Sequence, residues 1–219
     1  MKRIKIITGH FGSGKTEFAV NYAKHIKSEN SDPVCLVDLD LVNPYFRSRE
    51  KTVAFKELGI EILSSDLEGE AADIPSISAR IQKVFDNKTL RTIIDLGGDP
   101  MGATALGRFF ESMVESEIDI WLVVNANRPY TQTVEDTLMY AHNLEAKIGF
   151  KITGIINSTH MVKYTTSEDI EHGYHIASQV AAILNVPVKY NVLLENLVEN
   201  THLPNLFPIG LEMREEWMS

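Results

Sequence analysis

Cysteine is nearly missing from this chain: Cys35 is the single one among 219 residues. That excludes an internal disulfide and a metal site built on paired cysteines. Cys35 falls in the apolar run Val34-Cys35-Leu36-Val37 and reads as a small buried strand residue. Basic blocks are missing too, and the formal net charge is −9. Non-specific nucleic-acid binding runs on phosphate neutralisation by Lys and Arg, so no nucleic-acid partner is expected. No run reaches about 18 apolar residues. Met1-Lys2-Arg3-Ile4 leads into an apolar stretch without an h-region and cleavage site. The segment Leu211-Glu212-Met213-Arg214-Glu215-Glu216-Trp217 is acidic and lacks the basic face of an amphipathic anchor. These absences predict a cytoplasmic chain with no membrane anchor.

What is present is an ordinary globular composition, 44% hydrophobic and 23% charged. The length suits one domain over residues 1–219. Runs rich in Ile and Val predict strands near 4–8, 34–38, 60–63, 91–95, 118–124, 152–157 and 186–190. Most lack strict alternation, as strands buried on both faces do. Helical patterns lie between them, near 15–28, 45–58, 76–86, 102–116, 131–146 and 168–184. Asn43-Pro44 places the start of the second helix near Pro44 or Tyr45. The alternation predicts an α/β fold: a three-layer, doubly wound, mostly parallel sheet of about seven strands. Ligands in such folds bind at the carboxyl ends of the strands.

After the first strand stands Gly9-His10-Phe11-Gly12-Ser13-Gly14-Lys15-Thr16, which reads G-x-x-x-x-G-K-T between a strand and a helix. Glycines there let backbone N–H groups turn inward on phosphate oxygens, and the new helix aims its positive end at the same oxygens. Nucleotide contacts are therefore expected from Gly9, Phe11, Gly12, Ser13, Gly14, Lys15 and Thr16. Lys15 reaches the β- and γ-phosphates, and the Thr16 hydroxyl is placed to ligate Mg²⁺. The second strand ends in Asp38-Leu39-Asp40, two carboxylates on one side of the sheet edge, suiting a metal shell and an attacking water. The fourth ends in Asp95-Leu96-Gly97-Gly98. Asp95 there suits Mg²⁺ held through water, and the Gly98 N–H suits a γ-phosphate sensor. Asp99 reads as a cap on the following turn, and the acidic stretch 67–75 as a polar connection. Arg128, at a strand's carboxyl end, has solvent as its favoured reading and the nucleotide or a partner subunit as the alternative. His172 and His175, three apart on a helix, lack the third ligand that catalytic zinc needs.

The sixth strand ends in Asn157-Ser158-Thr159-His160. A guanine site of this layout wants Asn/Thr-Lys-x-Asp, its Asp accepting from the base. Asn157, whose amide both donates and accepts, suits the N6 and N7 edge of adenine, so ATP is expected.

Together these motifs resemble the MinD/ParA/CobQ branch of P-loop ATPases, over about residues 4–195. The resemblance implies Lys15 and Asp40 as catalytic groups, Thr16, Asp38 and Asp95 around Mg²⁺, Asn157 on adenine, and ATP/ADP as ligands. Many members carry an early lysine in the loop that reaches a partner's nucleotide across a homodimer. Here that position is His10. The loop also looks like those of metallochaperone and signal-recognition GTPases, whose guanine motif is missing. The expected activity is Mg²⁺-dependent ATP hydrolysis driving a switch, through a homodimer or an unidentified protein partner. An ATP-dependent ligase or kinase acting on a small-molecule substrate, and a non-hydrolysing binding module, stay open as alternatives.

Overall fold

Strands of Ile and Val need both faces covered, and the computed structural model shows how that is met. It describes residues 2–29, 31–40, 49–64 and 74–212. The strands are β1 Ile4–Gly9, β2 Val34–Leu39, β3 Ile60–Ser64, β4 Arg91–Gly97, β5 Ile118–Val124, β6 Gly154–Asn157, β7 Val188–Leu194 and β8 Leu206–Ile209. They form one eight-stranded sheet in the order β3-β2-β4-β1-β5-β6-β7-β8. Every pairing is parallel. The helices are α1 Lys15–Glu29, α2 Arg49–Glu57, α3 Ile74–Asp86, α4 Pro100–Gly107, α5 Val134–Ile148 and α6 Ser167–Leu184. The helix start expected near Pro44 and most of the acidic stretch 67–75 lie outside the described residues.

Alternate residues of a strand point to opposite faces, and the core divides accordingly. On one face Ile4, Ile6, Ile94 and Leu122 pack with Phe85 of α3, Leu106 of α4, Leu144 of α5 and Ile176 of α6. On the other, Ile7, Ile93 and Trp121 pack with Phe18, Tyr22 and Ile26 of α1. The helix ends are capped as their residue types require. The Thr166 side chain and Asp169 form a capping box opening α6, and Asn185 closes it in the left-handed conformation. Gly149 closes α5 in the same way, at φ 76°.

The expected α/β sheet is borne out, with eight strands, all parallel, β8 being the addition. Two element boundaries need correction. The helix expected over 102–116 stops at Gly107 and gives way to two 3₁₀ turns, Phe110–Ser112 and Glu115–Glu117. Aromatic packing decides this: Phe109 stacks on Phe85 at 5.5 Å, and Phe110 meets Phe150 edge-on at 5.9 Å. The strand expected at 186–190 starts later, at Val188, because Pro187 has no N–H to give to a ladder. Among the described residues no helix is long and apolar enough to cross a membrane.

Candidate functional site

The sheet order sets β1 between β4 and β5. The segments after β1, β4, β5 and β6 therefore meet at one edge, with Asp40 at the end of β2. Register fixes the carboxylates: Asp95 of β4 lies opposite Ile7 of β1 and Asp38 of β2. In parallel strands, such partners project to the same side.

The loop Gly9–Thr16 curls where its glycines permit. Gly12 and Gly14 have φ of 74° and 87°, a region that residues with a Cβ rarely enter. Ser13 N–H donates to His10 O at 3.1 Å, closing the turn. The Ser13 side chain is fully buried, whereas that of Phe11 is 63% exposed. A Cβ on Gly98 would overlap the Gly9 carbonyl and the Tyr140 hydroxyl. The backbone after β4 is thus pressed against the start of the loop. Tyr140 Oη holds it there, donating to Gly98 O at 3.1 Å.

The charged side chains converge behind the loop. Lys15 Nζ pairs with Asp40 Oδ2 at 2.6 Å, both groups almost wholly buried. Asp40 N–H donates to Asp38 Oδ1 at 3.0 Å. Thr16 Oγ1 donates to Asp95 Oδ2 at 2.6 Å. Burial pushes the Asp95 carboxyl up to about 6, opposed by the Lys15 charge and the Thr16 hydrogen bond and reinforced by Asp40. Its Oδ1 is buried without a hydrogen-bond partner among the described residues. Asp99 Oδ1 accepts from Gly102 N–H at 3.0 Å, the capping role expected of it.

Asn157 is placed differently from the expectation. It is fully buried. Its Nδ2 donates to Ile170 O and Asn191 Oδ1, both at 2.9 Å. Its Oδ1 accepts from Thr159 N–H at 3.2 Å and from Thr159 Oγ1 at 2.9 Å. With the amide bonded on both sides, it presents no free edge to a base. In this structure Asn157 ties the β6 loop to α6 and β7.

Two residues stand out that residue type alone does not reveal. Asn125, fully buried after β5, accepts through Oδ1 from Asn127 N–H at 3.0 Å and from His160 N–H at 3.4 Å. Arg128, for which solvent is the favoured reading on sequence and the nucleotide the alternative, lies across the loop, its Nε donating to Gly12 O at 3.2 Å. Nothing in the pattern Asn125-Ala126-Asn127-Arg128 fixes that direction; it depends on how the loop after β5 folds back.

Beside the loop opens a cleft of about 920 Å³, counting space open to solvent. Gly12, Gly14, Lys15 and Thr16 lie at one end, with Val162, Val192, Leu193, Leu194, Ile209 and Leu211 among its apolar walls. Its mixture of apolar wall and polar floor suits a small-molecule ligand.

No protein-family model matches this chain, and no curated protein matches it. Solved structures do. Cell division protein FtsY of Thermotoga maritima matches with a TM-score of 0.54 and 20% identity, over 86% of this chain and 60% of that one. Signal recognition particle receptor FtsY of Elizabethkingia anophelis, in complex with GDP, matches with a TM-score of 0.55 and 19% identity, over 86% of this chain and 56% of that one. A nucleotide-binding protein of Archaeoglobus fulgidus, in complex with ADP, matches with a TM-score of 0.51 and 14% identity, over 90% of this chain and 84% of that one. The chain thus spans well under two thirds of the FtsY proteins it matches. At these identities the likeness establishes architecture: an all-parallel sheet with interleaved helices, the α/β fold of the P-loop NTPases.

Proposed function

We propose that this chain binds ATP with Mg²⁺ and hydrolyses it, serving as a nucleotide-dependent switch. The observation that carries the proposal is the meeting of Lys15, Thr16, Asp38, Asp40 and Asp95 behind a left-handed glycine loop. The N–H groups of Gly12–Thr16 would hold the phosphates, and Lys15 would neutralise them. Asp40 would orient the water attacking in line at the γ-phosphorus. Gly98, held against the loop, would read the γ-phosphate.

The donor set fits Mg²⁺. Thr16 Oγ1 and the carboxylates of Asp38 and Asp95 are hard oxygens, and the unpartnered Asp95 Oδ1 is a buried acceptor in want of a donor or cation. Among the described residues no three or more His, Cys, Asp or Glu side chains gather as a metal cage. Mg²⁺ rarely uses one, keeping waters and substrate phosphates in its shell. When bound it would neutralise phosphate oxygens.

We take adenine rather than guanine as the base, a reading that the lining of the cleft supports. Guanine needs an acceptor for its N1–H and amine. Among the described residues Glu17 is the one carboxylate on the cleft wall, and its Oε1 accepts from Asn21 Nδ2 and from Glu212 N–H.

The test is calorimetric titration of the protein with ATP, ADP and GTP in Mg²⁺, followed by phosphate release. Binding of ATP that Lys15→Ala abolishes, with turnover in the wild type, supports the reading. Equal binding by Lys15→Ala would refute it. ADP formation that appears only with a small acid present would move the assignment to the ligase class.

A further inference from the structure

We propose that Arg128 acts from within the same chain as a second cation on the terminal phosphates, beside Lys15; this rests on the nucleotide-binding reading above. Its guanidinium lies over the middle of the phosphate loop. From the position a Cβ would take on Gly12, Arg128 Nε is 3.3 Å and Cζ 3.6 Å away. Nε donates to Gly12 O at 3.2 Å. Among the described residues that is the only hydrogen bond the guanidinium donates, and no carboxylate pairs with it. The Nη groups, a planar fork matched to phosphate oxygens, are left for another acceptor. Arg128 also borders the cleft beside Gly12, Gly14, Lys15 and Thr16.

The loop that carries Arg128 is built to hold it still. Arg128 N–H donates to Asn125 O at 3.0 Å, and Thr131 N–H donates back to Arg128 O at 3.3 Å. Thr131 Oγ1, fully buried, donates to Asn125 O at 2.7 Å. Asn127 Nδ2 donates to Asp169 Oδ1 on α6 at 3.1 Å. Tyr130 is held at φ 68°, a conformation that costs energy for a residue with a Cβ. Its ring packs on His10 with centroids 4.9 Å apart, fastening this loop to the second residue of the phosphate loop. Neighbouring bonds thus over-determine a strained turn, which sets a cation over Gly12 before any ligand arrives. Preorganisation of that kind is what electrostatic catalysis requires.

In the reaction, the oxygen of water bonds to the γ-phosphorus as the bond from phosphorus to the β–γ bridging oxygen breaks. ADP leaves with that oxygen and its electron pair. One water proton remains on inorganic phosphate and the other passes to solvent. Negative charge builds on the bridging and γ-oxygens, and the Arg128 N–H groups donate to them.

The experiment compares wild type with Arg128→Ala, Arg128→Lys and Arg128→Gln, each checked by thermal unfolding. Single-turnover ATP hydrolysis and ADP affinity are measured. Expected is a fall in rate on the order of 10²-fold or more in all three variants, with ADP affinity changed less than about threefold. Added guanidinium at low millimolar concentration should partly restore Arg128→Ala, which a merely structural role would not allow. Mixing Arg128→Ala with Lys15→Ala should restore nothing; restored activity would overturn action in the same chain. Hydrolysis by folded Arg128→Lys and Arg128→Gln within threefold of wild type would overturn the role itself. Wild type that binds ATP but hydrolyses none would overturn it while leaving nucleotide binding intact, whereas absence of nucleotide binding would overturn both readings.

Discussion

Lys15 and Asp40 are bonded to each other, Nζ to Oδ2 at 2.6 Å, in a buried ion pair. These are the two groups proposed to neutralise the phosphates and to orient the attacking water. For Lys15 to meet phosphate oxygens it must exchange Asp40 for them, and Asp40 is then released toward water. Entry of the nucleotide and arming of the hydrolytic carboxylate become one event. Asp40→Asn removes the competitor and a repelling charge. Nucleotide affinity should therefore rise severalfold while hydrolysis slows. The ligand-free protein should lose about 2 kcal/mol, because Lys15 keeps a weaker partner in a buried place. Calorimetry and unfolding with and without ADP would decide; weaker ADP binding by Asp40→Asn would sink the exchange.

The bond from Thr16 Oγ1 to Asp95 Oδ2 leaves Asp95 Oδ1 buried and unpartnered among the described residues. An acceptor so placed is costly unless a cation or water reaches it. Thr16→Val removes one proposed ligand and keeps the shape. Wild-type turnover should vanish on chelation and return with added Mg²⁺. Thr16→Val should lose on the order of 10²-fold in rate, and its residual rate should respond little to Mg²⁺. An unchanged Mg²⁺ dependence in Thr16→Val would rule out that ligand.

Asn157 bonds Ile170, Asn191 and Thr159 at once, and α6 approaches it closely through Gly173. A Cβ at Gly173 would overlap both Thr159 and Asn157. Asn157→Ala strands several buried partners, so its main effect should be on stability, a loss of about 2–4 kcal/mol. The ratio of ATP to GTP affinity should stay within about threefold of wild type. Denaturant unfolding and parallel titrations would show which quantity moves. A selectivity change with unaltered stability would restore the base-contact role.

Some of this site is legible in residue order and some is not, and the difference is physical. Gly9–Thr16 announces itself because a phosphate cradle demands glycine, lysine and a hydroxyl at fixed offsets along one segment. Asp38 and Asp95 follow from strands ending in acids, and sheet register then sets them side by side. β8 escapes notice because Leu206-Phe207-Pro208-Ile209 is short and contains a proline, which argues against a strand. It is tolerated since β8 forms the sheet edge. The role of Asn157 depends on partners at residues 159, 170 and 191, which no local pattern connects. Arg128 depends on the conformation of a turn.

β8 itself bears on which base is held. Ile209 is nearly buried and joins Val192, Leu193 and Leu194 of β7 along the cleft wall. On the proposed reading a base seated there would meet apolar side chains and strand backbone, and among the described residues no carboxylate but Glu17 borders it. ATP should therefore bind about tenfold or more tightly than GTP. ITP carries a carbonyl where adenine carries its N6 amine, so it should fall with GTP rather than with ATP. Ile209→Ala should weaken ATP and ITP by similar factors, since it removes wall and no donor or acceptor, and should cost about 2–4 kcal/mol of stability. Competition of all three nucleotides against a fluorescent ADP analogue would measure this. ITP binding as tightly as ATP would show that the N6 amine is not read, and GTP binding as tightly as ATP would place the acceptor for guanine somewhere other than this wall.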